Sequence, residues 1–132
     1  MKTIDKVALL YLREGEILST RSRGKDVFYL PGGKREMGET DLETLTREIR
    51  EELAVELLPE TAKLYGVFEA QAHGKAEGVL VKMTCYTGEL RGIPRPESEI
   101  EEIHWLTYAG LELVSPVDKL IFQDLHERGL LL

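Results

Sequence analysis

The stretch Gly32–Val55, GGKREMGETDLETLTREIREELAV, holds the key to this chain. It opens on a glycine pair behind Pro31 and continues with Leu42, Leu45, Ile49 and Leu53 at helical spacing. Thr40 and Glu43 have the spacing of a capping box, in which a hydroxyl and a carboxylate each satisfy a free backbone N–H at a helix start. Asp41 adds a negative charge at the positive end of the helix dipole. The pattern predicts a helix, with Pro59 closing the region. On that helix Glu48, Glu51 and Glu52 fall within an arc of about 100°. The apolar stripe is centred roughly a quarter-turn or slightly more away. Like charges this close cost a few tenths of a kcal/mol per pair, so helix propensity alone does not call for them.

A solvated acidic face is the ordinary explanation of a Glu-rich helix. Two features weigh against it here. The acids flank a stripe that must be buried, where repulsion grows. The helix also follows a Pro-Gly-Gly turn, whose bare carbonyls can approach the same point in space. Carboxylates beside a backbone carbonyl make an all-oxygen site of the kind magnesium and manganese favour, and magnesium often binds substrate phosphates as well.

These residues resemble the Nudix box, G-x5-E-x7-R-E-U-x-E-E-x-G-U, with U a bulky aliphatic. Gly33, Glu39, Arg47-Glu48, Ile49, Glu51-Glu52 and Val55 fill its positions, so the box spans 33–55. One position departs: Ala54 stands where the family usually has glycine, at the helix end and away from any ligand. The resemblance implies a Nudix fold, a mixed β-sheet sandwiched between helices, forming one domain over residues 1–132. It implies that Glu48, Glu51 and Glu52 are the catalytic carboxylates and bind divalent metal with the Gly33 carbonyl alongside. Glu48 also orients or deprotonates the attacking water in some members. Glu39 and Arg47 would be a structural pair bracing loop and helix, a task that suits the rigid Arg fork. Similar proteins often supply a further acidic ligand from the region of Glu97, Glu99, Glu101 and Glu102, and Glu99 is the choice here. They also often carry a phosphate-binding arginine where Arg21 and Arg23 lie.

Outward from the box, residues 4–13 read as a strand, Glu14-Gly15 as a turn and 16–21 as a second strand, together a hairpin. A basic loop, 21–26, leads to a short apolar strand over 27–30. Downstream, strands are predicted over 63–72, 79–90 and 100–107, separated by a polar turn at 73–78 and a Pro/Gly-rich loop at 91–99. Ser115-Pro116 opens a last helix with Val117, Leu120, Ile121 and Leu125 as its apolar set, and Gly129 stands just past its end. Five or six strands with two helices indicate a mixed α/β domain.

With 24 acids against 17 bases the chain carries a net charge of −7, which argues against a long polyanion such as duplex DNA as the main partner. The acids alone would repel a phosphorylated substrate too. Arg21, Arg23, Lys25, Lys34 and Arg35 are the cations near the box, and Arg21, Arg23 and Lys34 are the expected substrate contacts. The one cysteine, Cys85, permits no disulfide within the chain and fits a reducing cytoplasm. The opening MKTIDKVALLYLREGE is too short an apolar run for a signal peptide, and nothing approaches the roughly 20 apolar residues of a membrane span. Cys85 reads as core, as does Trp105; Phe28 and Tyr29 could stack on a base. His73 lies in a turn that could form a lid, while His104 and His126 have no visible partner.

A pyrophosphate link repels a hydroxide nucleophile, and a metal ion both neutralises phosphate oxygens and lowers the pKa of bound water. The expected activity is therefore Mg2+-dependent, or Mn2+-dependent, hydrolysis of a nucleoside diphosphate linked to a further group, giving a nucleoside monophosphate. Markers of NADH, ADP-ribose and dinucleoside polyphosphate hydrolases are missing; Ala70, for instance, stands where the ADP-ribose branch carries proline. What remains is similar to the compact, MutT-like branch acting on nucleoside triphosphates, including modified ones. The alternatives are a non-catalytic nucleotide-sensing module, or a hydrolase of nucleoside diphosphates, nucleotide sugars or dinucleoside polyphosphates. The expected partner is a small nucleotide, with no membrane; a homodimer is compatible with the sequence.

Overall fold

The computed structural model describes residues 2–132. Among these residues seven strands form two sheets. The first sheet has the order β4-β1-β6-β5, built from Gly32–Gly33 (β4), Thr3–Leu10 (β1), Leu80–Arg91 (β6) and Glu56–Gln71 (β5). It is mixed: β1 runs parallel to β6, and the other pairs are antiparallel. The second sheet is antiparallel, with the order β2-β3-β7, from Leu12–Arg13 (β2), Glu16–Ser22 (β3) and Ile100–Leu106 (β7). Helix α1 covers Asp41–Leu53 and helix α2 Pro116–Glu127, with a 3-10 turn at Tyr108–Leu113 before α2.

Strand alternation divides the core in two. Val7 and Leu9 of β1 pack with Leu45, Ile49 and Leu53 of α1. Ala8 and Leu10, pointing to the opposite face, pack with Val117, Ile121, Phe122 and Leu125 of α2. In β3, Ile17 joins the α2 side and Leu18 the α1 side. Period-two alternation thus places a helix on each face of the mixed sheet, the layered α/β architecture expected of this sequence.

The structure corrects several element boundaries. The single strand expected over 4–13 is two: the chain leaves the first sheet at Tyr11 and enters the second as β2, where the Tyr11 carbonyl accepts the Leu18 N–H at 3.0 Å. The Glu14-Gly15 turn is confirmed, with φ of 50° and 80°, as a two-residue hairpin of the twisted, doubly left-handed kind requires. Residues 27–30 form no strand. Tyr29 bridges Thr20 and Phe28 bridges Val114, one residue to each side, because the segment crosses between elements instead of running along one. β5 begins at Glu56, seven residues earlier than expected, and runs through Pro59. As the edge strand it tolerates the missing N–H, and its register with β6 breaks between Leu58 and Lys63. In α2, Leu120 is exposed and Phe122 takes the buried place. Trp105 is 38% exposed, lying against Tyr11 on the second sheet, and so is not core. Cys85 is fully buried, as expected.

Candidate active site

The capping box forms as the sequence predicts: the Thr40 hydroxyl accepts the Glu43 N–H at 3.2 Å, and the Glu43 carboxylate accepts the Thr40 N–H at 2.9 Å. This fixes the start of α1 and hence the angular position of its acids. At the other end the glycine pair is zipped onto β1, with Gly33 opposite Val7 and Gly32 opposite Ala8. Gly32 sits at φ +144°, and a Cβ there would collide with the Val7 carbonyl. Helix and loop are thereby brought face to face.

Glu52 closes that gap. Only 7% exposed, it accepts the Gly32 N–H at 3.0 Å. Burial pushes its carboxyl up to about 8; the Gly32 N–H and Lys6 oppose this, while Glu48 and Glu99 add to it. Glu48 lies beneath Gly33, where a side chain would put its Cβ 2.6 Å from the Glu48 Cδ. Burial raises the Glu48 carboxyl too, against the pull of Arg47. Both carboxylates line a cleft of about 520 Å³, together with Gly32, Gly33 and Glu99.

Arg47 organises the box. Its guanidinium grips Glu39 with two bonds of 2.7 and 2.9 Å and reaches the Lys34 carbonyl at 3.1 Å. Glu39 also accepts from the Thr44 hydroxyl and the Glu36 N–H. The Arg47 bond, first among these, holds the Glu39 carboxyl down to about 2. The bracing pair expected from the sequence is present. The same guanidinium donates from Nη1 to Glu48 at 2.8 Å and to Glu51 at 3.1 Å.

Glu51 is half exposed and turned to Arg47, outside the cleft lining. Among the described residues no three acidic, histidine or cysteine side chains are gathered into a closed coordination site. The donors that do converge are Glu48, Glu52, the Gly33 backbone and, from across the cleft, Glu99. Two backbone bonds bring the last one in: the Arg95 N–H reaches the Leu53 carbonyl and the Glu97 N–H the Glu52 carbonyl, each at 3.0 Å. The loop is thus tied to the end of α1. An all-oxygen donor set, room kept beneath a glycine and carboxylates at the mouth of a cleft fit a hard divalent cation.

The expected phosphate contacts divide. Lys34 and Lys25 line the cleft. Arg21 and Arg23 do not. Arg21 pairs with Glu101 and Glu102 and bonds the Lys25 carbonyl, and Arg23 donates to the Ser98 carbonyl at 2.6 Å. Both brace the loop that carries Glu99. Arg35 reaches the cleft but is held by Asp5 and Asp41. Tyr29 lines the cleft, as does His73, whose ring bonds Asp26 at 2.8 Å. His104 lies beside Glu102, and His126 stacks on Tyr108.

Sequence reasoning missed Lys6, Lys75 and Asp118. Lys6 and Lys75 line the cleft. Asp118 is fully buried at the start of α2, where one carboxylate oxygen accepts the Leu30 N–H at 2.9 Å. Lys6 left a trace in the sequence: it is the one charge among Ile4, Ala8 and Leu10 on its face of β1. Asp118 left none, since an acid in a first helical turn ordinarily serves the dipole.

The NUDIX domain family model matches residues 2–125. The chain is a Nudix hydrolase. It thus belongs to a family of enzymes acting on nucleoside diphosphate derivatives, and such hydrolases generally use divalent metals. Among solved structures it is similar to the ORF135 protein of E. coli, with 24% identity, coverage of 96% of this chain and 91% of that one, and a TM-score of 0.71. The mutator MutT protein of Bacillus halodurans shares 25% identity over 91% of this chain and 80% of its own, with a TM-score of 0.70. The MutT NUDIX hydrolase of Burkholderia pseudomallei shares 26% over 83% and 86%, with a TM-score of 0.67. No curated protein matches the chain. No helix among the described residues of this Nudix hydrolase is long and apolar enough to cross a membrane.

Proposed function

We propose that this Nudix hydrolase cleaves nucleoside triphosphates, ordinary or modified, to nucleoside monophosphate and pyrophosphate. The observation that carries the reading is the pairing of buried Glu52 and half-buried Glu48 against the Gly32-Gly33 backbone at the floor of a cleft. Two carboxylates are withheld there from water without a cation of their own beyond Arg47. A cleft of about 520 Å³ is within the range that takes a ligand of nucleotide size.

Glu48, Glu52, the Gly33 carbonyl and Glu99 would hold Mg2+ or Mn2+, with Glu51 recruited from Arg47. The ion, when bound, neutralises phosphate oxygens and acidifies a water. The chain's own residues do the rest. Arg47 fixes the orientation of Glu48 through a bond of 2.8 Å, so that this carboxylate is aimed and not free to rotate. Gly33 contributes backbone where a side chain would displace Glu48. Lys34, Lys25 and Lys75 line the same cleft and offset the negative charge that would otherwise repel a polyphosphate. Glu48 is the group positioned to accept the proton of an attacking water. The MutT proteins among the similar structures agree with the MutT-like resemblance of the sequence, and it is that resemblance which implies a triphosphate. The single buried cysteine supports a reducing, cytoplasmic setting.

The test is pyrophosphate release from a panel of nucleotides with Mg2+, with and without chelator, for the wild type and Glu52→Gln. Turnover that needs the metal and falls at least a hundredfold in a folded Glu52→Gln is expected. Full activity in that variant, or nucleotide binding without turnover in the wild type, overturns the assignment; the latter would identify a sensing module.

A further inference from the structure

Lys6 is a cation in the wrong surroundings. Its face of β1 is otherwise apolar, with Ile4 before it and Ala8 and Leu10 after it. In the parallel register it stands opposite Met83 of β6, and Ile4 stands opposite Val81. Lys6, Ile4, Val81 and Met83 together form the apolar floor of the cleft, with Tyr29 beside them. The ammonium lies 5.8 Å from the centre of the Tyr29 ring. It has no hydrogen bond and no carboxylate within 4.0 Å among the described residues. Its three donors are left to solvent and to whatever enters the cleft.

Behind the floor lies fully buried Asp118, whose Oδ2 accepts the Leu30 N–H while Oδ1 has no partner. Asp118 is the strongest of the charges that favour the Lys6 ammonium, against the desolvation that opposes it. Where Asp118 is ionised it favours the Lys6 charge, as the cleft carboxylate Glu52 also does, and neither closes on Lys6 as an ion pair among the described residues.

Resting on the reading of the cleft as a nucleotide site, we propose that Lys6 is a specificity-determining residue that selects bases bearing an exocyclic carbonyl oxygen over those bearing an exocyclic amine. The floor offers apolar surface and an aromatic ring to the face of a base. The charged group set into it, Lys6, can only donate. An oxopurine presents acceptors to such a group, and lysine to the guanine O6 and N7 is a favoured pairing. Adenine keeps the N7 acceptor but presents an amine at carbon 6, so donor meets donor there and Lys6 loses one of its two acceptors. Sites built to hydrogen-bond one group reject an analogue that lacks it far more strongly than sites of shape alone.

The experiment compares inosine and adenosine triphosphates, which differ in the oxygen or amine on carbon 6 and the proton on the adjoining ring nitrogen. Steady-state kinetics and equilibrium binding are measured for the wild type, Lys6→Met and Lys6→Arg, each checked by thermal melting. The wild type is expected to favour the inosine nucleotide in kcat/KM by about tenfold or more. In Lys6→Met that ratio falls toward one, mainly through KM for inosine triphosphate, and Lys6→Arg restores most of it. A folded Lys6→Met with an unchanged ratio, or a wild type favouring adenosine, overturns the proposal. A wild type that neither binds nor hydrolyses any nucleoside triphosphate overturns the reading of the cleft itself. Binding without turnover, with the inosine preference lost in Lys6→Met, sustains this inference while removing the catalytic one.

Discussion

Gly33 and Glu48 occupy space that only glycine leaves free: a Cβ on residue 33 would stand 2.8 Å from each carboxylate oxygen of Glu48. The constraint is steric and local, since Gly33 does not adopt a left-handed φ. Gly33→Ala is therefore expected to push Glu48 out of the cleft. The measurable result is a fall in kcat/KM of roughly a hundredfold, as small misplacements of catalytic groups produce, with about 1–3 kcal/mol lost in stability from the forced contact. A fully active Gly33→Ala would contradict the close approach.

The Arg47 fork supports two predictions. Glu39→Gln keeps the shape but loses the charge. Because Arg47 holds the Glu39 carboxyl down to about 2, the pair stabilises the fold above the ordinary carboxylate range and loses that contribution as pH falls from about 4.5 toward 2. Acid titrations followed by circular dichroism should therefore show the wild type and Glu39→Gln converging at low pH and diverging near neutrality. Arg47→Lys, unable to make both bonds at once, should lower kcat by about ten- to a hundredfold by freeing Glu48.

Asp118 predicts the opposite slope. Burial pushes its carboxyl up to about 7, so the folded state holds a proton that the unfolded state releases near 4. Its contribution is fully present at low pH and is lost as pH rises through about 7. Asp118→Asn can keep the acceptor for the Leu30 N–H and removes the titration. Urea melts should find the variant gaining on the wild type from pH 5 to pH 8, by an amount on the order of 1–3 kcal/mol. An equal difference at both pH values would mean that Asp118 is charged throughout.

Ala54 adopts a left-handed conformation, φ 57° and ψ 33°, and its N–H caps the Arg50 carbonyl. Glycine reaches that conformation without the Cβ penalty. Ala54→Gly should raise stability by about 0.5–1 kcal/mol with turnover little changed, read from a chemical melt beside an activity assay.

What the sequence revealed of this site was whatever one helix and its entry loop could encode alone. Thr40, Glu43, Glu39, Arg47, Glu48 and Glu52 lie within a single rigid spacing, so counting residues was enough to set them side by side. Arg21 and Arg23 misled because an arginine bears no mark of the partner it will meet; Glu101 and Glu102, which hold Arg21, lie on a strand some 80 positions away, and the Ser98 carbonyl that holds Arg23 is nearly as distant. Asp118 was illegible for the same reason, and Lys6 showed only as a lone charge on an apolar strand face. Their burial is created by Tyr29, Leu30 and Met83 folding around them, and no local pattern announces it. The split of the first strand at Tyr11 belongs to this class too. Nothing in an unbroken β-forming run says that its two ends serve different sheets.

The loop carrying Glu99 hangs from the carbonyls of Glu52 and Leu53, the same final turn that carries the Glu52 side chain. Fraying of that turn would release the acid on the helix and the acid on the loop in one event. Amide exchange at Arg95 and Glu97 should therefore report the opening of the catalytic floor from the outside, since protons on the rim cannot be given up while the turn beneath them stays wound.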